Sequence, residues 1–439
     1  MATVATSQRQ PATRLPLNRQ LKDFGRSVTY QVAGLPIALR GLAQKSKSPE
    51  AVIRRAYAHR YWHPRGIAEL AGLALATIVS PLVLLGLELA FTVKNGGQVA
   101  RRFGRPIHRQ LVDQLRLYLR AGVLPPWYYI FELHREPHSA FARDFIYRWE
   151  SKAGVMNLLR EEGTPRSELN DKAQFERHCR KHQLRAVPVL AVFRDSEVEL
   201  RAHRRDLETD LFVKPVCGRG GKGAERWDYS FGLYRPIDGA WLTRDELFSR
   251  LARRSRSVPL LIQPRLVNHE ALQQLNNGAL STVRVLTCLN EAGKPELVGA
   301  AMRMAIGSNR TVDNLHAGGI ACAVDLETGA LGPASNIGAD SRLGWLGRHP
   351  GTGAEIEGAR LPMWDEVRKF AVRAHWAFSD RVIVGWDIAI TPDGPVLVEG
   401  NGSPDLDIMQ RFVRHGLMTA RLGILLAFHL SQLGLAGTA

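Results

Sequence analysis

Two apolar stretches near the C-terminal end carry carboxylates at fixed positions, and this pattern constrains the fold more than any other part of the chain. VIVGWDIAITPDGP (residues 382–395) and VLVEGNGSPDLDI (residues 396–408) have the composition of buried β-strands, with a turn signal between them. The pattern predicts a hairpin whose five-residue loop is centred on Asp393. Such a loop would place Asp387 directly opposite Glu399.

Three oxygen-bearing side chains should meet on this hairpin, because Asn401 shares the face of Glu399 by the two-residue period of a strand. Two buried carboxylates that face each other repel unless a positive charge lies between them. A hard cation such as Mg²⁺ prefers oxygen ligands, so we predict a metal site formed by Asp387, Glu399 and Asn401. The alternative is an exposed hairpin with scattered acidic residues.

Length and charge limit the class of protein. The 439 residues predict about two to four domains. The chain contains 59 Lys and Arg but 42 Asp and Glu, which indicates an anionic partner such as a nucleotide, a nucleic acid or a phospholipid surface. The basic residues lack the interleaved aromatic residues of a single-strand binding groove, which argues against nucleic acid. The four cysteines show no metal-ligand spacing, so a reducing compartment is expected.

The N-terminal third differs in composition from the rest. Residues 1–65 are basic and contain much Pro, Gly and Ser, which predicts a partly disordered segment. Residues 66–165 are predicted to be helical and include LAGLALATIVSPLVLLGL (residues 70–87), 18 residues without a charge. Basic residues flank this stretch on both sides, so a simple transmembrane span would conflict with the positive-inside rule.

Two interpretations of residues 70–87 remain open. A helix kinked at Pro81 would lie in the cytoplasmic leaflet, re-entrant or interfacial, with both basic flanks on anionic lipid. Alternatively, the stretch is a buried pair of core helices broken at Pro81. The first interpretation predicts a cytoplasmic protein that is peripheral or monotopic on the inner face of the membrane.

A glycine-rich loop predicts a phosphate site. LFVKPVCGRGGKGAERW (residues 211–227) is typical of a strand, a loop and a second strand, and the first strand carries Lys214. Glycines allow several N–H groups to turn towards one anion, and basic side chains add charge there. The loop is therefore expected to lie over a triphosphate, and the alternative is an ordinary flexible hairpin. The loop residues assigned to nucleotide binding are Gly220, Gly221 and Lys222.

Single charged or polar residues in unusual positions extend the site. Lys172 opens a helix capped near Asn170–Asp171, where a cation is unfavourable unless it serves an anion. Gln263 ends an apolar strand whose backbone groups suit an adenine edge. Arg284 and Arg303 each interrupt an apolar strand, and a guanidinium in such a place favours a bidentate anion.

The order of these motifs resembles the ATP-grasp superfamily. Over about residues 167–410 it is most similar to the sugar-transfer associated ATP-grasp proteins, and the NLHAGG and EGNGSP segments resemble glutamate-adding ligases of ribosomal-protein-modifying type. The resemblance implies an α+β fold in which two subdomains grip ATP, behind a helical, partly apolar N-terminal region. It places the ATP-grasp domain at residues 166–415 and a C-terminal helix at residues 416–439.

The resemblance also implies roles. Lys172 and Lys214 would contact the α- and β-phosphates, the loop would close over the triphosphate, and residues 263–266, including Arg265, would bracket adenine. Many relatives have Glu where this chain has Pro264, which puts the ribose and adenine contacts in doubt. The three predicted metal ligands would hold one or two Mg²⁺, or Mn²⁺. Arg284, Arg303 and Asn314 would act in catalysis.

The resemblance implies an ATP-dependent ligase that joins a carboxylate to an amine through an acyl phosphate. The expected substrates are small-molecule, peptide-linked or sugar-linked, in the biosynthesis of cell-surface sugar or peptide conjugates. An alternative is phosphate transfer to a hydroxyl, with His316 as the general base. Another is a non-catalytic protein that binds a membrane surface. The complete set of predicted metal ligands argues against this last alternative.

Overall fold

The computed structural model describes residues 17–41, 43–160, 168–218 and 220–434 and contains helices and antiparallel sheets, which confirms the predicted α+β class. The helices are α1 (Leu17–Gly41), α2 (Pro49–Trp62), α3 (Ile67–Phe103), α4 (Ile107–Ala121), α5 (Pro125–Ile130), α6 (Met156–Leu158), α7 (Lys172–Lys181), α8 (Arg244–Ser255), α9 (Trp364–Ala377), α10 (Leu406–Val413) and α11 (Arg421–Gln432).

The strands of the protein all follow α7 in the described part of the chain and form two antiparallel sheets. The larger sheet has seven strands in the order β2-β1-β7-β3-β4-β5-β6, and the smaller has five in the order β10-β9-β8-β11-β12. The strands are β1 (Ala191–Arg194), β2 (Glu197–Leu200), β3 (Leu211–Pro215), β4 (Glu225–Ser230), β5 (Leu233–Pro236), β6 (Leu242–Thr243), β7 (Leu260–Pro264), β8 (Thr282–Leu289), β9 (Pro295–Met304), β10 (Ile320–Ala323), β11 (Ile383–Thr391) and β12 (Gly394–Asn401).

The predicted hairpin is β11–β12, and its register is confirmed although its loop is shorter than expected. Thr391 pairs with Gly394, so the loop has two residues instead of five. A two-residue loop alone would place Asp387 opposite Val398. The register shifts just after Asp387, where Val398 forms a bulge, and this extra residue restores the pairing of Asp387 with Glu399.

The N-terminal region is more ordered than its composition predicted. Residues 17–62 form α1 and α2 where a partly disordered segment was expected, while residues 1–16 lie outside the described residues. Both helices bury apolar side chains: α1 buries Val32 and Ile37, and α2 buries Ile53 in the same core cluster as Leu425 of α11. This burial offsets the entropy of ordering the segment. The division into domains stays a prediction, because α2 and α11 share one core.

Helix α3 contains the apolar stretch, and the alternative of two buried helices broken at Pro81 is wrong. The helix is continuous from Ile67 to Phe103 with Pro81 inside it. Its most apolar 18-residue window has a mean hydropathy of 2.3 but is only 11% buried. By length and composition, α3 is the one helix in the described part of the chain that could cross a membrane.

Candidate nucleotide and acyl-transfer site

All thirteen residues predicted for the site line one cavity of about 860 Å³, which is bounded by side chains of both sheets. A volume of this size is near the upper end of the roughly 300–1,000 Å³ typical of ligand sites. Among the residues that the structure describes, eleven Lys and Arg line the cavity but four Asp and Glu, so it is suited to anions. The predicted residues are Lys172, Lys214, Gly220, Gly221, Lys222, Gln263, Arg265, Arg284, Arg303, Asn314, Asp387, Glu399 and Asn401.

Asp387 is the centre of an ion-pair cluster in the cavity. Arg284 of β8 donates from Nε to Asp387 Oδ1 and from Nη2 to Oδ2, the second contact at 3.1 Å. Arg303 of β9 contributes Nη2 at 2.9 Å from Oδ2. Burial alone would raise the pKa of Asp387, but the two guanidinium groups outweigh it and the pKa is lowered. The two arginines that interrupt apolar strands therefore share one anion.

The sequence analysis missed Asp313, which extends this cluster. Asp313 Oδ2 accepts hydrogen bonds from the Thr282 N–H at 2.8 Å and from Thr282 Oγ1 at 2.6 Å, and its Oδ1 lies 3.5 Å from Arg303 Nη2. Burial raises the pKa of Asp313, with Arg303 opposing the shift. Asp313 directly precedes Asn314, which the sequence analysis did assign to the site. This position next to a predicted site residue is the sequence feature that could have identified Asp313.

The predicted metal ligands fit a hard cation in donor type and placement. Glu399 lies opposite Asp387, and the nearest cation is Lys172, whose Nζ is 3.8 Å from Glu399 Oε1. Within the described residues, the Asn401 side chain makes no hydrogen bond, and no three Asp, Glu, His or Cys side chains form a metal cluster. Glu399 and Asn401 thus keep oxygen atoms available for a metal. The Asp387 oxygens already contact Arg284 and Arg303, so Asp387 could bind a metal only in addition to these arginines or in place of them. Their role as ligands stays a prediction.

Lys214 is a buried cation that no described carboxylate contacts directly, although Glu399 and Asp387 act on it electrostatically. It is 8% exposed, and among the residues that the structure describes it makes no hydrogen bond or ion pair. Burial, followed by repulsion from Lys172, lowers the pKa of Lys214 to about 8. Folding has already removed water from the Lys214 ammonium group. An incoming anion is therefore attracted to it without a further cost for desolvating Lys214.

The glycine loop connects β3 to β4, as the strand–loop–strand pattern predicted. Gly220 and Gly221 have φ of 74° and 68°, a left-handed conformation that L-residues rarely adopt, so glycine is required there. Lys172 Nζ donates to the Gly218 carbonyl at 3.1 Å, which joins the loop to the start of α7. Asp171 caps α7 as expected, and its side chain accepts from the N–H of Ala173 at 2.8 Å.

The remaining predicted residues make contacts within the protein. Gln263 Nε2 donates to the Val187 carbonyl at 2.9 Å, and Arg265 Nη1 is 2.7 Å from Asp228 Oδ1. Asn314 Oδ1 accepts from the N–H of His316 at 2.8 Å. These contacts hold the strand end and the loop in place beside the cavity. The adenine contacts of Gln263 and Arg265 and the catalytic role of Asn314 stay predictions.

Part of the cavity wall comes from outside the region that the motifs cover. Arg26 of α1 and the pair Arg148 and Lys152 line the cavity from there, and Asp405, which contacts the pair, lines it from inside that region, after β12. The sequence analysis missed all four. No local pattern identifies Arg148 or Lys152, because the chain brings them to the cavity from more than 200 residues away in sequence.

The sequence profile of the family described as sugar-transfer associated ATP-grasp matches residues 162–422, which is more than half of the chain. No curated protein sequence matches the chain.

The chain also has low-identity similarity to solved structures of other proteins. A D-alanine–D-alanine ligase from Bacillus anthracis is 14% identical with a TM-score of 0.34, and the match covers 60% of this chain and 68% of that one. An L-amino acid ligase from Bacillus licheniformis is 13% identical with a TM-score of 0.35, covering 67% of this chain and 59% of that one. The ATP-grasp ligase PsnB, solved with minimal precursor, Mg and ADP, is 16% identical with a TM-score of 0.33, covering 61% of each chain.

Proposed function

Because this chain belongs to the sugar-transfer associated ATP-grasp family, we propose that it is a Mg²⁺- and ATP-dependent ligase that joins a carboxylate to an amine. One observation carries the proposal. Arg284 and Arg303 converge on Asp387 directly opposite Glu399, in a cavity with a large excess of cationic side chains. Such a cavity suits a reaction in which a phosphoryl group passes between two anions.

The nucleotide is proposed to bind with its phosphates beside Lys172, Lys214 and the glycine loop. Lys214 supplies a buried charge that forms no ion pair with the described residues, and the loop supplies N–H groups held by left-handed glycines. Glu399, Asn401 and Asp387 would hold Mg²⁺, which neutralises charge on the β- and γ-phosphates when bound. Asp387 belongs to both sets of residues, so it connects the metal ligands with the two arginines.

The chemistry has two steps. A carboxylate oxygen of the acceptor attacks the γ-phosphorus, the bond to the β-phosphate oxygen breaks, and ADP leaves. The amine nitrogen then attacks the acyl carbon, inorganic phosphate leaves with the electron pair, and the nitrogen loses a proton. Arg284 and Arg303 would stabilise the charge on the acyl phosphate and on the oxyanion that follows. No protein nucleophile takes part.

We propose that the substrates are small-molecule, peptide-linked or sugar-linked acids and amines from cell-surface biosynthesis. The family description, which associates it with sugar transfer, supports this class.

Hydroxylamine trapping tests the reaction type. Hydroxylamine should intercept the acyl phosphate, so the enzyme with Mg-ATP and pooled cell acids should release ADP and free phosphate and accumulate acyl hydroxamates, identified by mass spectrometry. A stable phosphorylated product without hydroxamate would instead support transfer to a hydroxyl, for which His316 lines the cavity.

We further propose that α3 lies on the anionic inner leaflet. Its exposed apolar residues follow one face, at spacings of three to five: Ile67, Leu70, Leu75, Ile78, Leu82, Leu85, Leu89 and Val93. Basic residues at both ends, among them Arg65 and Lys94, match anionic headgroups.

The opposite face and the C-terminal part of α3 pack on protein, which favours a helix lying on the bilayer over a helix crossing it. Ala76 and Val99 are fully buried. Asn95 Oδ1 accepts from the Ser341 N–H at 2.9 Å, and Arg102 Nη2 donates to the Arg342 carbonyl at 2.7 Å. A helix crossing the bilayer through residues 70–87 would have to remove Ala76 and Leu84 from the protein core in which they pack.

A further inference from the structure

The N-terminal helical region forms one end of the cavity, next to the proposed reaction centre. Arg148 and Lys152 lie four residues apart and both line the cavity. Neither belongs to the part of the chain that the family profile matches, which begins at residue 162. A feature of this protein outside the shared ATP-grasp domain therefore shapes the space beside the nucleotide.

The two cations are held in place by aspartates of the ATP-grasp domain. Arg148 Nη1 is 3.0 Å from Asp407 Oδ2, and Arg148 Nη2 is 3.1 Å from Asp405 Oδ1. Lys152 Nζ lies 2.8 Å from the same Asp405 oxygen. One carboxylate oxygen thus contacts both cations, and the side chains of Arg148 and Lys152 are 24% and 17% exposed.

This cluster lies within electrostatic range of the reaction centre. The Arg284 guanidinium is among the charges that lower the pKa of Asp405, after Lys152 and Arg148, and against the effect of burial. A single acceptor molecule could therefore contact Arg284 at one end and Arg148 with Lys152 at the other. Beside the two cations, the cavity wall is apolar and is formed by Ile408, Met409 and Phe412.

The charge of the cavity is larger than a nucleotide requires. Among the described residues, eleven basic and four acidic side chains line it, and Asp407, which pairs with Arg148, adds a fifth carboxylate; bound ATP with Mg²⁺ would neutralise only part of the excess. At the end formed by the N-terminal region, Arg26, Arg148 and Lys152 line the cavity, and Asp405 and Asp407 pair with the last two. A second anionic ligand at that end would complement these cations beside their aspartate partners.

We propose that Arg148 and Lys152 bind a second anionic group of the acceptor acid. The preferred acceptor then carries one carboxylate for activation at Arg284 and Arg303, and another carboxylate or a phosphate next to an apolar segment. This inference rests on the proposed ligase function, which assigns the first carboxylate. It makes the N-terminal region the part of the protein that determines acceptor specificity.

Matched pairs of probes test the second anion. N-acetyl-L-glutamate has a side-chain carboxylate where N-acetyl-L-glutamine has an amide, and glucuronate 1-phosphate adds a phosphate to glucuronate. Binding of each probe to the full chain with Mg-ADP present would be measured by calorimetry, and hydroxamate formation with Mg-ATP would be measured separately. The variants are Lys152→Met, Lys152→Arg and, as a matched control, Lys181→Met at an exposed position of α7.

We expect at least one probe with two anionic groups to bind about tenfold tighter than its partner with one, because a charge-assisted hydrogen bond is stronger in a partly buried site than in water. Lys152→Met should remove that preference, Lys152→Arg should largely keep it, and Lys181→Met should not change it. The Kd of Mg-ADP should be the same in all four proteins. The pair that shows the preference identifies the second anion as carboxylate or phosphate.

The two proposals fail in different ways. Absence of a dianion preference in both pairs, or an equal loss for both members of a pair in Lys152→Met, would overturn the second-anion site. A dianion preference without any hydroxamate would keep the site and remove the ligase reaction. Hydroxamate formed equally from both members of each pair would keep the reaction and remove the site.

Discussion

Strand β11 and helix α3 are both strongly apolar, yet their burial is opposite. All nine residues of β11 are buried, whereas the most apolar window of α3 is 11% buried. Strand β11 lies between β8 and β12, and its Trp386 and Ile388 pack in the same core as α9. Helix α3 packs against α1, α4 and α5, and its other face is exposed. Apolar sequence therefore requires removal from water, but it does not specify whether protein or lipid replaces the water.

The two elements also differ in charge. β11 carries Asp387, and the structure compensates that charge with Arg284 and Arg303. Residues 70–87 of α3 carry no charge at all. A charge retained in a buried strand is costly unless it has a function or a partner, so it marks a site. An uncharged apolar stretch indicates a surface that is more stable out of water, but it does not indicate a functional site.

The largest expected effect is on the charges of the hairpin. Glu399→Gln should lower ATP turnover by about 10²–10³-fold or more, because the amide removes a negative charge from the proposed metal shell. Asp387→Asn should have a similar effect. Turnover would be measured as ADP release with hydroxylamine present.

A charge on the same hairpin but outside the cavity serves as the control. Asp393→Asn changes a carboxylate in the exposed turn, where the side chain is 82% exposed, and should leave turnover unchanged. Normal turnover in both Glu399→Gln and Asp387→Asn, or an equal loss in Asp393→Asn, would remove the site from the hairpin.

The next largest effect is expected on stability, where the same substitution, Ile to Ala, can be compared in β11 and in α3. Ile388 of β11 is fully buried and Ile78 of α3 is 76% exposed. Ile388→Ala should lower the free energy of unfolding by about 2–5 kcal/mol, because it leaves a cavity in the core. Ile78→Ala should change it by no more than about 0.5 kcal/mol in detergent-free buffer. Urea or thermal denaturation measures both, and similar losses would show that protein covers the exposed face of α3.

The sequence predicted those features of the structure that depend on residues close together in the chain. The two-residue period of β11 and β12 placed Asp387, Glu399 and Asn401 correctly on one face, since alternation in a strand is local. The loop length was wrong, and the register was right only because the bulge at Val398 added the missing residue. A bulge has no reliable sequence signal, because the choice depends on packing around the strand.

The N-terminal side of the site could not be predicted in the same way. Arg148 and Asp405 are 257 residues apart, and their pairing depends on how the helical region packs on the smaller sheet. The composition of residues 1–65 also predicted partial disorder, although apolar residues of α2 find partners on distant elements such as α11. Local composition does not contain this information. Long-range packing outweighed it.

A smaller effect, on nucleotide affinity, is expected from the buried cation beside the hairpin. The pKa of Lys214 is lowered to about 8, and a bound phosphate would raise it, because the anion stabilises the protonated form. ATP affinity should therefore be fully present well below pH 8 and fall as the pH rises through 8, by up to about tenfold per pH unit. Calorimetric titration at several pH values measures the slope.

The matched variants isolate Lys214 from the rest of the cavity. Lys214→Arg should flatten the slope, since a guanidinium stays charged over this range. Lys214→Met should lower ATP affinity at every pH and also lose the slope. Lys181→Met, on the exposed surface of α7, should retain both the affinity and the slope. An unchanged slope in Lys214→Met would assign the titration to another group.

The smallest effect on the folded protein is expected on α3, where only lipid binding should respond. The full chain should sediment with phosphatidylcholine vesicles that contain phosphatidylglycerol, and high salt should release it only in part, because salt screens the basic flanks but not the apolar face. Ile78→Ser with Leu82→Ser, at residues 76% and 73% exposed, should weaken binding by about tenfold or more, since a buried Ile or Leu contributes about 1.5–3 kcal/mol.

The same double variant should leave turnover and the free energy of unfolding nearly unchanged, whereas substitution of the buried Leu84 would disturb the core. Complete release by salt would limit lipid contact to the basic residues. A stable dimer without vesicle binding would show that a second copy of the chain covers the apolar face, and α3 would then resemble β11 in being buried by protein.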